Sequence, residues 1–165
     1  MTIDLTNLAE IGARMAQATP QAAALNLRLV SVGVEGAAMA VPWRPELVGD
    51  PATGVMAGGV ITTLLDHVCG LAVSSAVIAS GGTFMEFGMA TLDLRIDYMR
   101  PAEPRREVIA LARCYKLTRS IAFVRASAFE DDESNPVATA QAAFAFTGPR
   151  QAAQLGPDAG PEAAS

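Results

Sequence analysis

The sequence predicts an α+β domain in which one antiparallel sheet wraps a long buried helix, and three observations carry that expectation. From Gly59 to Ser80 the chain is almost continuously apolar, opened by Gly58-Gly59 and closed by Gly81-Gly82. Beyond it, four segments show the period-two pattern of β-strands. Finally, 51% of the 165 residues are hydrophobic but only 5% are aromatic, so the core must be built from small and branched aliphatic groups.

The elements follow in order. Thr6, Leu8, Ile11 and Met15 have the spacing of a short amphipathic helix that Thr19-Pro20 interrupts, so residues 1–22 read as a helical segment covering an edge. Leu25 to Val34 and Ala37 to Val41 alternate around Gly33 and Gly36, as a β-hairpin does. Pro42, Pro45, Gly49, Pro51 and Gly54 then mark a loop. The central helix, Gly59 to Ser80, is about 33 Å long at about 1.5 Å per residue. Its side chains are apolar around nearly the whole circumference, so the rest of the chain has to surround it.

Thr91 to Met99 places Leu92, Leu94, Ile96 and Tyr98 on one strand face and Thr91, Asp93, Arg95 and Asp97 on the other. After Pro101 and Pro104, three further strands span Glu107–Lys116, Ile121–Phe129 and Val137–Phe146. The turns joining them are Leu117 to Ser120 and the acidic run Glu130 to Pro136, the latter read as solvated. The domain then occupies residues 23–148, and the Ala-, Gly-, Pro- and Gln-rich residues 149–165 have too little to bury and are expected to be disordered.

Charge and composition exclude several functions. The net charge is −5 and the arginines are scattered, which argues against a nucleic-acid partner. The first residues lack a basic segment followed by an apolar one, and the only cysteines, Cys69 and Cys114, suit a reducing compartment, so a cytoplasmic location is expected. Val55 to Ser80 is apolar enough for a membrane span, but Asp66 and His67 fall in its middle, where ionisable groups are costly in lipid. There is no GxSxG elbow, Walker-type phosphate loop or metal-ligand spacing, so no metal or bound cofactor is expected.

Asp66 is the informative residue. A carboxylate on so apolar a helix must be paired, neutralised or put to work, because desolvation costs more than packing returns. A structural acid capping an amide or meeting an arginine is the alternative to a general base. His67 lies about 100° around the helix from it, and Cys69 and His67 point apart, which disfavours a Cys–His nucleophile. Gly58 and Gly59 offer free N–H groups at the positive end of the helix dipole, where an oxyanion is favoured. Asp66 lies about 10 Å along the axis from Gly59, too far for one carbonyl to meet both. That spacing implies a two-fold dimer in which the acid of one chain meets the helix start of its twin.

Ala57-Gly58-Gly59 with Asp66, the run Thr91 to Pro101 and the pair Arg119-Ser120 together resemble the hotdog-fold acyl-CoA thioesterases of the phenylacetic-acid-degradation type, over about Ala24 to Thr147. The resemblance implies a hotdog fold and hydrolysis of an acyl-CoA thioester to a carboxylic acid and CoA. Asp66 would act as base or nucleophile, the Gly58/Gly59 amides would form the oxyanion hole and Thr91 would place water. It also implies a homodimer, commonly paired into a homotetramer. Ala57, His67, Arg119 and Ser120 become candidate substrate contacts, with an interface histidine and a solvated turn as the competing descriptions. Thr91 competes with an ordinary strand threonine, since the alternation puts it on the polar face. Arg100, Arg105 and Arg106 are further candidates for the CoA phosphates, and Phe84, Met85, Phe87 and Met89 for an acyl pocket. Many members of this type carry His where Ala57 stands, and the preceding loop lacks an Asn or Gln near Pro51. These departures favour a second reading, a non-catalytic acyl-CoA-binding hotdog module. A hotdog hydratase would need an Asp/His pair five residues apart, which Asp66-His67 does not provide.

Overall fold

The computed structural model describes residues 5–82 and 88–147. The chain runs through α1 (Leu5–Ala16), α2 (Pro20–Leu25), β1 (Arg28–Gly33), β2 (Gly36–Val41), β3 (Val48–Asp50) and β4 (Val55–Met56). It continues through α3 (Gly58–Ala79), β5 (Met89–Tyr98), β6 (Val108–Leu117), β7 (Ile121–Phe129) and β8 (Ala138–Phe146). Six strands form one antiparallel sheet in the order β1-β2-β6-β7-β8-β5, and β3 pairs separately with β4. Phe84, Met85 and Phe87, expected near an acyl pocket, and residues 149–165, expected to be disordered, lie outside the described residues.

The sheet curls around α3 because its inner face is lined with alanine and valine. Ala110 and Ala112 of β6, Ala122, Val124 and Ala128 of β7, and Ala138, Ala140 and Ala142 of β8 are all buried there. Short side chains let the helix come close, and Leu64, Leu65, Val68 and Val73 fill the space with zero exposure. At Gly70 the missing side chain leaves room for Met89 of the edge strand, since a Cβ there would stand 3.3 Å from Met89 Cε. By length and composition α3 could cross a membrane, but 67% of its most apolar window is buried within the protein.

Two local expectations change. Thr19-Pro20 starts a second helix as well as ending the first: Thr19 Oγ1 accepts from Ala22 N–H (3.2 Å), Pro20 occupies the first turn, and left-handed Asn26 (φ 55°) closes it. The proline-rich loop after β2 contains a 3-10 turn at Pro45–Leu47 and the short β3–β4 ladder. Ala57 N–H donates to Leu47 C=O at 2.8 Å, which anchors the start of α3 on that loop.

The acidic turn after β7 is not simply solvated. Glu130 is buried and receives both guanidinium arms of Arg100, with the Glu103 amide adding a bond of 2.8 Å. Arg100 also donates to Pro101 C=O, Asn135 C=O and Asn135 Oδ1, so all of its donors are engaged. Arg106 pairs with Glu103 and Asp131, and Arg113 pairs with Glu133. These bonds remove Arg100 and Arg106 from the candidates for binding phosphate. Only Arg105, at φ 63° on an exposed turn, is left of the three without an ion pair among the described residues.

Burial pushes the Glu130 carboxyl up, but the Arg100 hydrogen bonds, the Glu103 amide and the Arg100 charge outweigh it and hold the group below its ordinary range. The stabilisation is therefore complete above the unfolded-state value of about 4.3 and is lost as the pH falls through the lower folded-state value. Glu130→Gln, which leaves Arg100 without its counter-charge, is expected to cost about 2–4 kcal/mol at neutral pH. Denaturant melts at pH 7 and pH 4 should show the gap between variant and wild type narrowing on acidification; a constant gap would rule the ion pair out as its source.

Candidate active site

The site gathers at the exposed flank of α3. Ala57 is the N-cap and has no side-chain capping bond, and the first helical hydrogen bond runs from Val60 N–H to Ala57 C=O at 3.0 Å. The amides of Gly58 and Gly59 come before that bond, so the helix supplies no acceptor for either. Both residues are exposed, and a Cβ placed on Gly59 would meet nothing within 4 Å. The helix start is thus accessible to solvent on the Gly59 side, while Gly58 has the Tyr98 ring beside it, with its would-be Cβ 3.3 Å from Tyr98 Oη. Accessible first-turn amides at the positive helix end can take up an anion.

Asp66 is half-buried, not enclosed on all sides, and accepts a hydrogen bond from Thr91 Oγ1 at 2.9 Å. The alternation of β5 placed Thr91 on the opposite face, and a β-bulge explains the change. Tyr98, Ile96 and Leu94 pair with Ala138, Ala140 and Ala142, but the register shifts between Thr91 and Asp93, so that Thr91 pairs with Phe144. Directly paired residues share a sheet face, so Thr91 joins the buried alanines and Phe144 on the side of the helix. Leu92, the extra residue, is left 59% exposed where the alternation would bury it.

His67 is half-buried, and desolvation lowers its pKa against the attraction of Asp66, which favours a neutral imidazole near pH 7. Cys69 is fully buried, and desolvation together with the Asp66 charge pushes its thiol up to about 12. A thiol so hard to ionise is a poor nucleophile. Arg119 and Ser120 occupy the β6–β7 turn, two strands across the sheet from β5, where Phe146 N–H donates to Ser120 C=O at 3.0 Å. Asp66 and Thr91 are therefore joined directly, whereas that turn is held to the end of β8.

Two residues that strand periodicity did not single out belong to the site. Tyr98 Oη donates to Gly58 C=O at 2.7 Å and lies 2.8 Å from Thr62 Oγ1. Tyr98 is 51% exposed, although the alternation counts it with the core. The only sequence signal for Thr62 is its place four residues after Gly58, where side chains on a helix meet the preceding turn. A cleft of about 380 Å³ has Gly58 and Tyr98 in its lining, together with Val55, Met56, Ile61, Met99, Pro101 and Val137.

The model of the thioesterase superfamily matches residues 53–137, from the loop before α3 to the edge of β8. The chain belongs to the thioesterase superfamily. Its sheet around a central helix is the hotdog fold. The medium/long-chain acyl-CoA thioesterase YigI of Escherichia coli K12 is 33% identical over 90 residues, covering 50% of this chain and 58% of YigI. The chain thus spans somewhat over half the length of that relative. A putative esterase of Halobacterium salinarum, VNG_1336C, is 30% identical over 129 residues, covering 72% of this chain and 82% of its own. A crystal structure of a Pseudomonas aeruginosa protein superposes with a TM-score of 0.71 at 37% identity, covering 84% of this chain and 98% of that one.

The state of the thiols is open to a direct check. At pH 8 the native protein should react with a thiol reagent slowly and at Cys114 only, whose half-buried thiol is also raised by burial, and the unfolded chain should react at both cysteines. Fast native labelling of Cys69 would bring back a cysteine nucleophile.

Proposed function

We propose that this protein hydrolyses the thioester of an acyl-CoA to a carboxylic acid and CoA. The observation that carries the reading is the Thr91–Asp66 hydrogen bond on the flank of a helix whose first amides are open. Thr91 holds Oδ1, and Oδ2 is the oxygen that takes a proton from water as the water oxygen bonds to the thioester carbon. The carbonyl electrons move to oxygen, where the Gly58/Gly59 amides hold the negative charge. When they return, the C–S bond breaks and CoA leaves as a thiolate that then takes up a proton. Direct attack by Asp66 on the same carbon is the variant of this route, with water releasing the acid from the resulting anhydride. Superfamily membership and the YigI similarity support the substrate class, and the YigI name favours medium or long acyl chains.

The two halves of the machinery stand about 10 Å apart on one helix, so the site is proposed to be shared between two copies. Strand β5 is an edge of the sheet that exposes Leu92 and Tyr98, with exposed Met99 directly after it, which supports pairing there. Pairing of such dimers into a tetramer rests on the family resemblance. Pro104 packs toward Gly54 at 3.6 Å from its would-be Cβ, which puts the Arg105 turn at the loop leading into α3. Arg105 is the arginine proposed for the CoA phosphates.

Ala57 favours one alternative, an acyl-CoA-binding module without turnover, since the N-cap brings no polar side chain to the oxyanion site. Thiol release from a panel of short, aryl, medium and long acyl-CoA esters separates the two, because a binding module would take up ligand without releasing CoA.

Asp66→Asn is expected to lower kcat by at least about a hundredfold while the oligomer persists. An unchanged rate would remove Asp66 from the mechanism. Gly59→Pro deletes one amide in a helix turn that tolerates proline. Each variant alone should be inactive, but unfolding and refolding them together should return about a quarter of wild-type activity, since half of the random dimers carry one intact composite site. No recovery from the mixture would place base and oxyanion hole within one chain.

A further inference from the structure

The carbonyl of Gly58 and the N–H of Gly59 belong to one planar peptide group. Whatever fixes the carbonyl also fixes the direction of the amide hydrogen. Tyr98 Oη donates to Gly58 C=O at 2.7 Å, and Thr62 Oγ1 lies 3.1 Å from the same carbonyl and 2.8 Å from Tyr98 Oη. Each hydroxyl has one proton to give. With the Tyr98 proton on the carbonyl, the shortest of the three contacts, the Thr62 proton goes to the Tyr98 oxygen, and a chain runs from Thr62 through Tyr98 to Gly58. The ring lies against the glycine: a Cβ on Gly58 would stand 3.3 Å from Tyr98 Oη and 3.4 Å from Cζ.

From these contacts we infer that Tyr98, supported by Thr62, is a positioning residue that aims and strengthens the Gly59 N–H as an oxyanion donor. A hydrogen bond accepted at a peptide carbonyl draws electron density from the amide nitrogen and makes its N–H a better donor, and a chain of such bonds reinforces the effect. The aim matters because a preorganised donor spends nothing on reorientation as charge develops. Core packing does not account for the arrangement, since Tyr98 is 51% exposed and its hydroxyl is spent on this carbonyl. No proton is transferred; the hydroxyls act on the substrate only through the peptide. The inference rests on the proposed use of the Gly59 amide in thioester hydrolysis.

Tyr98→Phe keeps the ring and removes the hydroxyl, and Thr62→Val removes the outer link of the chain. The only other tyrosine, Tyr115, stacks with Arg125 away from these residues, so Tyr115→Phe serves as the control. Steady-state kinetics on acyl-CoA esters and the Gly59 amide proton resonance are measured for each. Tyr98→Phe should lower kcat about tenfold, less than deletion of an oxyanion donor, with KM unchanged and the Gly59 resonance moved upfield. Thr62→Val should move both in the same direction by less, and Tyr115→Phe should move neither. A wild-type kcat, or a loss confined to KM, or an unmoved Gly59 resonance in Tyr98→Phe overturns the inference. If the wild-type protein cleaves no ester in the panel, the hydrolase reading fails. The resonance then decides alone whether the hydroxyls govern the amide.

Discussion

The rest of the site depends on one constraint: a single acid projects from an apolar helix, and the sheet closing over that helix must meet it with a donor. Strand β5 lies where the sheet reaches the flank of α3, and an uninterrupted pleat would turn Leu92 inward there. The bulge at Leu92 reverses the phase and offers the Thr91 hydroxyl in its place. One bond then does two things. It satisfies one oxygen of the carboxylate, whose desolvation would otherwise be uncompensated, and it sets the rotamer of the side chain. The cost is an apolar side chain turned out at the sheet edge, acceptable if another surface covers it.

Much of this fold could be read from the sequence because its pattern is driven by burial. The alternation of Ile121–Phe129 is the alternation of alanine and valine against α3, and the strand forms over those same residues. Gly58 and Gly81 bracket a helix because amides need exposure at one end and a left-handed residue (φ 88°) ends the other. What the pattern does not contain is register. A bulge adds one residue without altering composition, so periodicity assigned Thr91 to the polar face, and only pairing with β8 returns it to the helix. The Glu130–Arg100 bond was likewise invisible. A run of acids in a turn has the same composition whether solvated or folded back on an arginine thirty residues earlier in the chain.

That ion-pair cluster bears on the site through chain connectivity. Arg100 follows Tyr98 by two residues, and its donors tie the segment Tyr98–Pro101 to the β7–β8 turn. Met99 N–H and Arg100 N–H both donate to Val137 C=O, at 2.8 and 3.3 Å, closing the same wall of the cleft from the backbone. A tyrosine half exposed at the end of an edge strand would otherwise sample many rotamers. Anchoring the residues just beyond it narrows the positions from which its hydroxyl can reach the Gly58 carbonyl. Stability of the turn and geometry of the helix start are therefore linked, although the two are on different elements.

An edge strand ten residues long, with Leu92 and Tyr98 exposed and Met99 exposed just beyond it, is a liability for a protein that remains alone, because its unpaired backbone groups invite any other strand. At the opposite edge the problem is met differently: α1 packs on β1, with Leu29 and Val32 close to Gly12. No described element covers β5. The same flank carries the half-buried acid and, about two turns away, the open amides that it cannot reach by itself. A two-fold partner laid along β5 would cover the exposed side chains, satisfy the edge and bring a second helix start toward Asp66. A single packing event would then answer a stability problem and a catalytic one, which is the strongest physical ground for expecting the shared site.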